Sequence, residues 1–138
     1  SGNFDYAAVT QGVPPHELMV SCDGVYPESY ARYRIGGKVE RPLQFMRDAM
    51  KDTCQFPPIV VWKYILFEWN DSFEEIRAAQ ELAQEIGVTA LLFVYTHSAG
   101  KSQRYTLNNP GDFPILAPNV NINATPIHYQ ESETPAAR

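Results

Sequence analysis

Three short apolar runs, each closing on polar residues and each separated from the next by helix-forming sequence, leave few folds open to this chain. The first is Glu17-Leu18-Met19-Val20-Ser21-Cys22-Asp23-Gly24. The second, residues 59–70, is rich in β-branched and aromatic side chains and runs into Asn70-Asp71-Ser72. The third is Ala90-Leu91-Leu92-Phe93-Val94-Tyr95-Thr96-His97. Runs that are apolar throughout, rather than alternating, are expected of strands buried on both faces of a parallel sheet. All three therefore read as central strands.

The sequence between the second and third runs gives the clearest helix. Asn70, Asp71 or Ser72 can cap it, Glu74 and Glu75 stand in the first turn where the macrodipole favours acids, and Gly87 ends it. Ile76, Ala79, Leu82, Ala83 and Ile86 recur at spacings of three and four and form one apolar stripe. Between the first and second runs, residues 27–33 predict a short helix, Gly36-Gly37 a break, and residues 39–50 a second helix with Pro42 tolerated near its start. The order strand, helix, strand, helix, strand is that of parallel β/α units, so the fold class is α/β. Residues 1–97 form this unit. Residues 98–138, rich in Gly, Pro and Asn, read as an irregular C-terminal tail with one short element near residues 113–116.

Composition narrows the partners. The 138 residues carry 11 Lys and Arg against 16 Asp and Glu, a net charge of −5, and basic residues do not cluster. Such a chain is not expected to bind nucleic acid or an anionic membrane, both of which call for a dense basic face. Its longest apolar run, residues 59–67, is interrupted by Lys63 and falls far short of the roughly 20 residues that cross a bilayer. Two cysteines, Cys22 and Cys54, are too few for a disulfide framework, and with no secretory pattern the expected compartment is the cytoplasm. The chain opens on Ser1 rather than Met and reads as a piece of something longer.

Ligand sites of parallel α/β proteins lie at the carboxyl ends of the strands. Those ends bring Ser21 and Asp23, then Asn70, to one rim if the strands are adjacent. Turn formation and helix capping compete as the role of every polar residue there, most strongly for Asp71 and Ser72. Other constellations are weaker. His16, His97 and His128 are too scattered for a metal triad, and Cys22 with His97 as a nucleophile and base is outweighed by Cys22 as a small buried hydrophobe. Gly100-Lys101-Ser102 ends like a phosphate-binding loop but lacks the earlier glycine. Glu74 and Glu75 read as a solvated first turn rather than an acid and base pair.

Several of these residues also carry a family resemblance. Val20-Ser21-Cys22-Asp23-Gly24, Glu28-Ser29-Tyr30, Tyr33-Arg34 and Gly36-Gly37 resemble a segment of radical SAM enzymes, particularly those with SPASM or twitch extensions. Trp62-Lys63-Tyr64-Ile65-Leu66-Phe67, Asn70-Asp71-Ser72, Glu74-Glu75-Ile76, Ile86-Gly87-Val88 and Phe93-Val94-Tyr95-Thr96 are similar to the next two strands and the helix between them. The resemblance spans about residues 17–97. It implies the fourth, fifth and sixth strands of a partial TIM barrel, with S-adenosylmethionine across the strand ends. Ser21 and Arg34 would then meet the methionyl amino and carboxylate groups, Asn70 the ribose, and Thr96 the border of the adenine. The family's CxxxCxxC motif, which holds a [4Fe-4S] cluster, has no counterpart here, and Cys22 stands where the family has an aliphatic residue. Only a full-length form carrying that motif would generate a 5′-deoxyadenosyl radical on an unknown substrate. The alternative from another class is a non-catalytic α/β module that binds a partner or pairs with its own copies through exposed sheet edges.

Overall fold

The computed structural model describes residues 17–33, 37–51, 58–106 and 113–123. They form, in order, β1 (Glu17–Ser21), α1 (Pro27–Tyr33), α2 (Glu40–Met50), β2 (Ile59–Ile65), α3 (Phe73–Ile86), β3 (Ala90–Val94) and β4 (Val120–Asn123). The strands make one sheet in the order β1-β2-β3-β4, and all three pairings are parallel. The expected α/β class and its β-α-β-α-β order are present, with a fourth strand added.

Alternation along the strands sorts the sheet into two faces. Val20, Val60, Trp62, Tyr64, Leu91, Phe93 and Val120 point to one side and pack with Tyr30, Phe45, Met46, Ala49, Ile76, Ala79, Ala83 and Ile86 from the helices. Helices and main core therefore share one face. The other carries a smaller buried group of Ile65, Phe67 and Val94, joined by Trp69 and Leu92. Lys63, on that same face by alternation, is 4% exposed and stands in register with Ser21 on β1 and Leu92 on β3.

The helix α3 forms as its sequence predicts. Ser72 is the cap, its hydroxyl accepting from the Glu75 N–H at 3.1 Å, and Gly87 closes the helix at φ 84° in the left-handed region with its N–H donating to Ala83. No atom lies within 4 Å of where a Cβ on Gly87 would stand, so glycine is favoured there by backbone conformation alone. Asp71 is not a cap. Its carboxylate instead accepts from the Ser102 hydroxyl at 2.6 Å, with the Arg104 Nε at 3.7 Å.

The region expected to be an irregular tail holds β4, and residues 113–116 form no regular element. Buried Gln80 of α3 holds residues 114–116 in place. Its amide donates to the Pro114 carbonyl at 2.6 Å and accepts from the Leu116 N–H at 2.7 Å, so two backbone groups of the segment are satisfied by one side chain. Asn119 then delivers the chain to the sheet, donating through Nδ2 to the Val88 carbonyl at 3.2 Å and accepting at its own carbonyl from the Leu91 N–H at 3.1 Å. The first strand departs from expectation in the other direction. It lies at an edge of the sheet among the described residues, with Met19 42% exposed, and is not a central strand.

Ile76, fully buried, and Phe73, 47% exposed, stand on the same helix and separate core packing from surface. Ile76→Ala is expected to lower stability by about 2–5 kcal/mol through lost burial and a residual cavity. Phe73→Ala should stay within about 0.5 kcal/mol of the parent, both read from urea unfolding midpoints.

Candidate functional site

All four strands are parallel, so their carboxyl ends share one rim. The structure brings Ser21, Asp23, Asn70 and Thr96 to it, each from the end of β1, β2 or β3, and each is buried. Arg34 lies outside the described residues, as do Cys54, His16 and His128.

The four have different work in the fold. Asn70 is fully buried and its amide is entirely occupied by backbone. Oδ1 accepts from the Phe67 N–H at 2.8 Å, while Nδ2 donates to the Ile65 carbonyl at 2.9 Å and the Asp23 carbonyl at 3.1 Å. One side chain thus ends β2 and ties it to the loop after β1. Asp23 completes the tie, its Oδ1 accepting from the Ile65 N–H at 2.8 Å. Thr96 makes a local turn, its Oγ1 accepting from the Ser98 N–H at 3.0 Å. Ser21 differs from these. Its hydroxyl is on the helix-free face beside Lys63 and enters no hydrogen bond among the described residues.

Two aromatic side chains reach the same rim from the helix side of β2. The Trp62 indole donates to the Cys22 carbonyl at 2.8 Å, and the Tyr64 hydroxyl donates to the Asn70 carbonyl at 2.6 Å. Burial chiefly, and then the neighbouring Glu75 and Asp23 carboxyls, push the Tyr64 hydroxyl well above the ordinary tyrosine range, so it remains a donor. Cys22 is fully buried in the main core and its thiol donates to the Gly24 carbonyl at 3.3 Å, the behaviour of a small hydrophobe rather than a nucleophile.

Glu75 corrects the sequence reading outright. It is not solvated but 1% exposed. Its Oε2 accepts from the backbone N–H groups of Val25 at 2.8 Å and Tyr26 at 3.2 Å, and its Oε1 lies 2.7 Å from the Ser29 hydroxyl. Ser29 is also 3.0 Å from the Trp69 carbonyl. Burial raises the Glu75 pKa despite the three hydrogen bonds that oppose it. Sequence reasoning missed Glu75, Ser29 and Lys63. An acid in a helical first turn ordinarily faces water, and only the small residues Gly24 and Ser29 opposite it hint at a buried one.

Beyond Asn70, the second strand's loop is held by Trp69. Its ring stacks on Phe67 at 4.6 Å between centroids, carries the Arg32 guanidinium at 4.9 Å, and abuts Gly100, where a Cβ would fall 2.3 Å from a ring carbon. The ring is therefore packed by Phe67, Arg32 and Gly100. A groove of about 440 Å³ lies elsewhere, between α3 and residues 116–117, lined by Phe73, Arg77, Gln80 and Leu116 among others, and none of the four rim residues borders it.

Among the described residues no three His, Cys, Asp or Glu side chains gather as a metal site. No described helix is long and apolar enough to cross a membrane.

Asn70→Ala would strip partners from the buried Phe67 N–H and from the Ile65 and Asp23 carbonyls. Each unsatisfied group costs about 1–3 kcal/mol, so the loss should reach about 3 kcal/mol or more by urea unfolding. Thr96→Ala, which removes the side-chain bonds to the Ser98 N–H and hydroxyl, should lose less than Asn70→Ala, about 1–2 kcal/mol.

Comparison with protein-family models, with curated proteins and with solved structures finds no match to this chain.

Proposed function

We propose that this chain is the S-adenosylmethionine-binding part of a radical-SAM-type (β/α) barrel and that its function is cofactor binding at the strand-end rim. The observation that carries the reading is the sequential order β1-β2-β3-β4 in an all-parallel sheet with the helices on one face. Consecutive β/α units of a barrel run in that order, whereas a doubly wound sheet reverses order and places helices on both faces. The rim at the carboxyl ends of these strands is then where a ligand belongs.

Within this reading Ser21 supplies a hydroxyl to the methionyl group and Arg34 clasps its carboxylate with two donors. Asn70 and Asp23 serve by fixing the strand ends, since the Asn70 amide is committed to backbone. Thr96 borders the adenine through the turn it makes with Ser98. The family's [4Fe-4S] cluster does not fit this chain. It requires three thiolates, and the sequence holds Cys22 and Cys54, the first facing the main core. No reaction step is assigned to these residues for that reason.

A second reading, a self-associating module, draws on the edge position of β1 and on exposed Met19. Calorimetric titration of S-adenosylmethionine into the purified chain separates the two. Saturable binding that Arg34→Ala and Ser21→Ala weaken at least about tenfold, a loss of about 1.4 kcal/mol, is expected for the cofactor cleft. Absence of binding, together with a dimer in sedimentation, would establish the second reading in its place.

A further inference from the structure

The contact between Glu75, Ser29 and the Trp69 carbonyl has a proton count that a neutral Glu75 satisfies in full. A serine hydroxyl donates one proton. Here it lies 2.7 Å from Glu75 Oε1 and 3.0 Å from the Trp69 carbonyl oxygen, and both are acceptors when Glu75 is ionised. One of the two would then lack a donor from Ser29. If Glu75 carries a proton, the line closes: carboxylic acid to hydroxyl, hydroxyl to carbonyl. The proton resides on Oε1, because Oε2 already accepts from the Val25 and Tyr26 N–H groups.

We propose that Glu75 is a positioning residue that holds the rim as a neutral carboxylic acid, donating from Oε1 to the Ser29 hydroxyl while Ser29 donates to the Trp69 carbonyl. Loss of this proton turns the Ser29 hydroxyl toward Glu75 and releases the Trp69 carbonyl, so α1 unlatches from the turn between β2 and α3. The device is independent of which ligand the rim takes. It joins three parts of the rim through one side chain: the loop after β1, helix α1, and the turn after β2.

The surroundings of Glu75 favour the neutral form. Burial raises its pKa most, Glu28 on α1 raises it further, and the Val25 and Tyr26 N–H groups that donate to Oε2 offset part of this. From β2 the facing titratable group is Tyr64, itself held protonated by burial. Asp23 after β1 and Asp71 before α3 act on Tyr64 rather than on Glu75, and the Arg32 guanidinium of α1 is placed over Trp69. Space is closed as well, since a Cβ on Gly24 would fall 2.9 Å from Glu75 Oε2.

Nuclear magnetic resonance of the carbon-labelled chain, titrated with acid and base, tests the proposal. The Glu75 carboxyl carbon should titrate above the ordinary glutamate range. The amides of Val25 and Tyr26, and the Asn70 amide that shares a peptide with the Trp69 carbonyl, should follow the same midpoint. In Ser29→Ala the Asn70 response should vanish while those of Val25 and Tyr26 persist. Glu75→Gln, whose amide donates to Ser29 permanently, should leave all three flat. Stability has a definite sign: a raised native pKa means stability present below the ordinary glutamate value and lost as pH rises through the Glu75 midpoint. The urea midpoint of the parent should fall across that window relative to Glu75→Gln. A Glu75 carboxyl that titrates within the ordinary glutamate range, or a raised midpoint that the Asn70 amide ignores, overturns the proposal.

Discussion

The Asn70 side chain is the point on which the rim depends. A parallel strand that ends inside a protein leaves backbone donors and acceptors that no neighbouring strand pairs, and burying them without partners costs more than most single contacts return. At the end of β2 these groups are the Ile65 carbonyl and the Phe67 N–H, and one amide satisfies both. Its second bond from Nδ2, to the Asp23 carbonyl, fixes the neighbouring loop at the same height. Asp23 returns the tie through Ile65. Two polar residues thereby do what a longer ladder would have done, and they leave the chain free to turn outward at Glu68 and Trp69.

That local solution shapes the layers above and below it. With the backbone closed at Ile65, Trp62 and Tyr64 direct their polar ends to the carbonyls of Cys22 and Asn70 while their rings stay in the helix-side core. Tyr64 also passes the packing on to Phe93, whose ring lies 4.9 Å away, and Phe93 in turn meets Phe113 at 4.8 Å. Just after Phe113 the described residues 114–116 form no regular element, and Gln80 satisfies the Pro114 carbonyl and the Leu116 N–H instead. Side-chain amides thus stand in for regular structure at two places, Asn70 at the rim and Gln80 on the outer layer.

How much of this could be read from sequence follows from the range of each interaction. Helix α3 was legible from cap to stop because Ser72, the apolar stripe and Gly87 act on their own turns. The apolar pattern of the second strand runs past its end at Ile65 toward Asn70, because Leu66 and Phe67 are as apolar as the strand before them. What stops the strand is a hydrogen bond from an asparagine that looks like any other turn former. Strand β4 was not legible: four residues with two asparagines, Val120–Asn123, become a strand by pairing with β3. Of the rim residues, Ser21, Asp23, Asn70 and Thr96 follow from the rule that strand ends gather polar groups. Glu75 does not, because its partner Val25 is 50 residues away and first-turn acids ordinarily face water.

The two faces of the sheet differ in kind, and the difference bears on where a ligand is to be sought. The helix face is filled by large side chains whose polar atoms, in Trp62 and Tyr64, already meet backbone carbonyls. The other face interrupts its aliphatic residues with a row in which Ser21 and Lys63 stand side by side, followed by Leu92 and Asn121 on β3 and β4. An ammonium group at the centre of a sheet is costly unless it is engaged, and Lys63 is engaged. A chain selected only for packing would place an aliphatic residue there, as β2 does at Val61 and Ile65 on the same face. Ser21 and Lys63 thus set a buried polar pair into an otherwise aliphatic face, one step below the strand end that Asn70 closes, whereas the helix face is given over to packing.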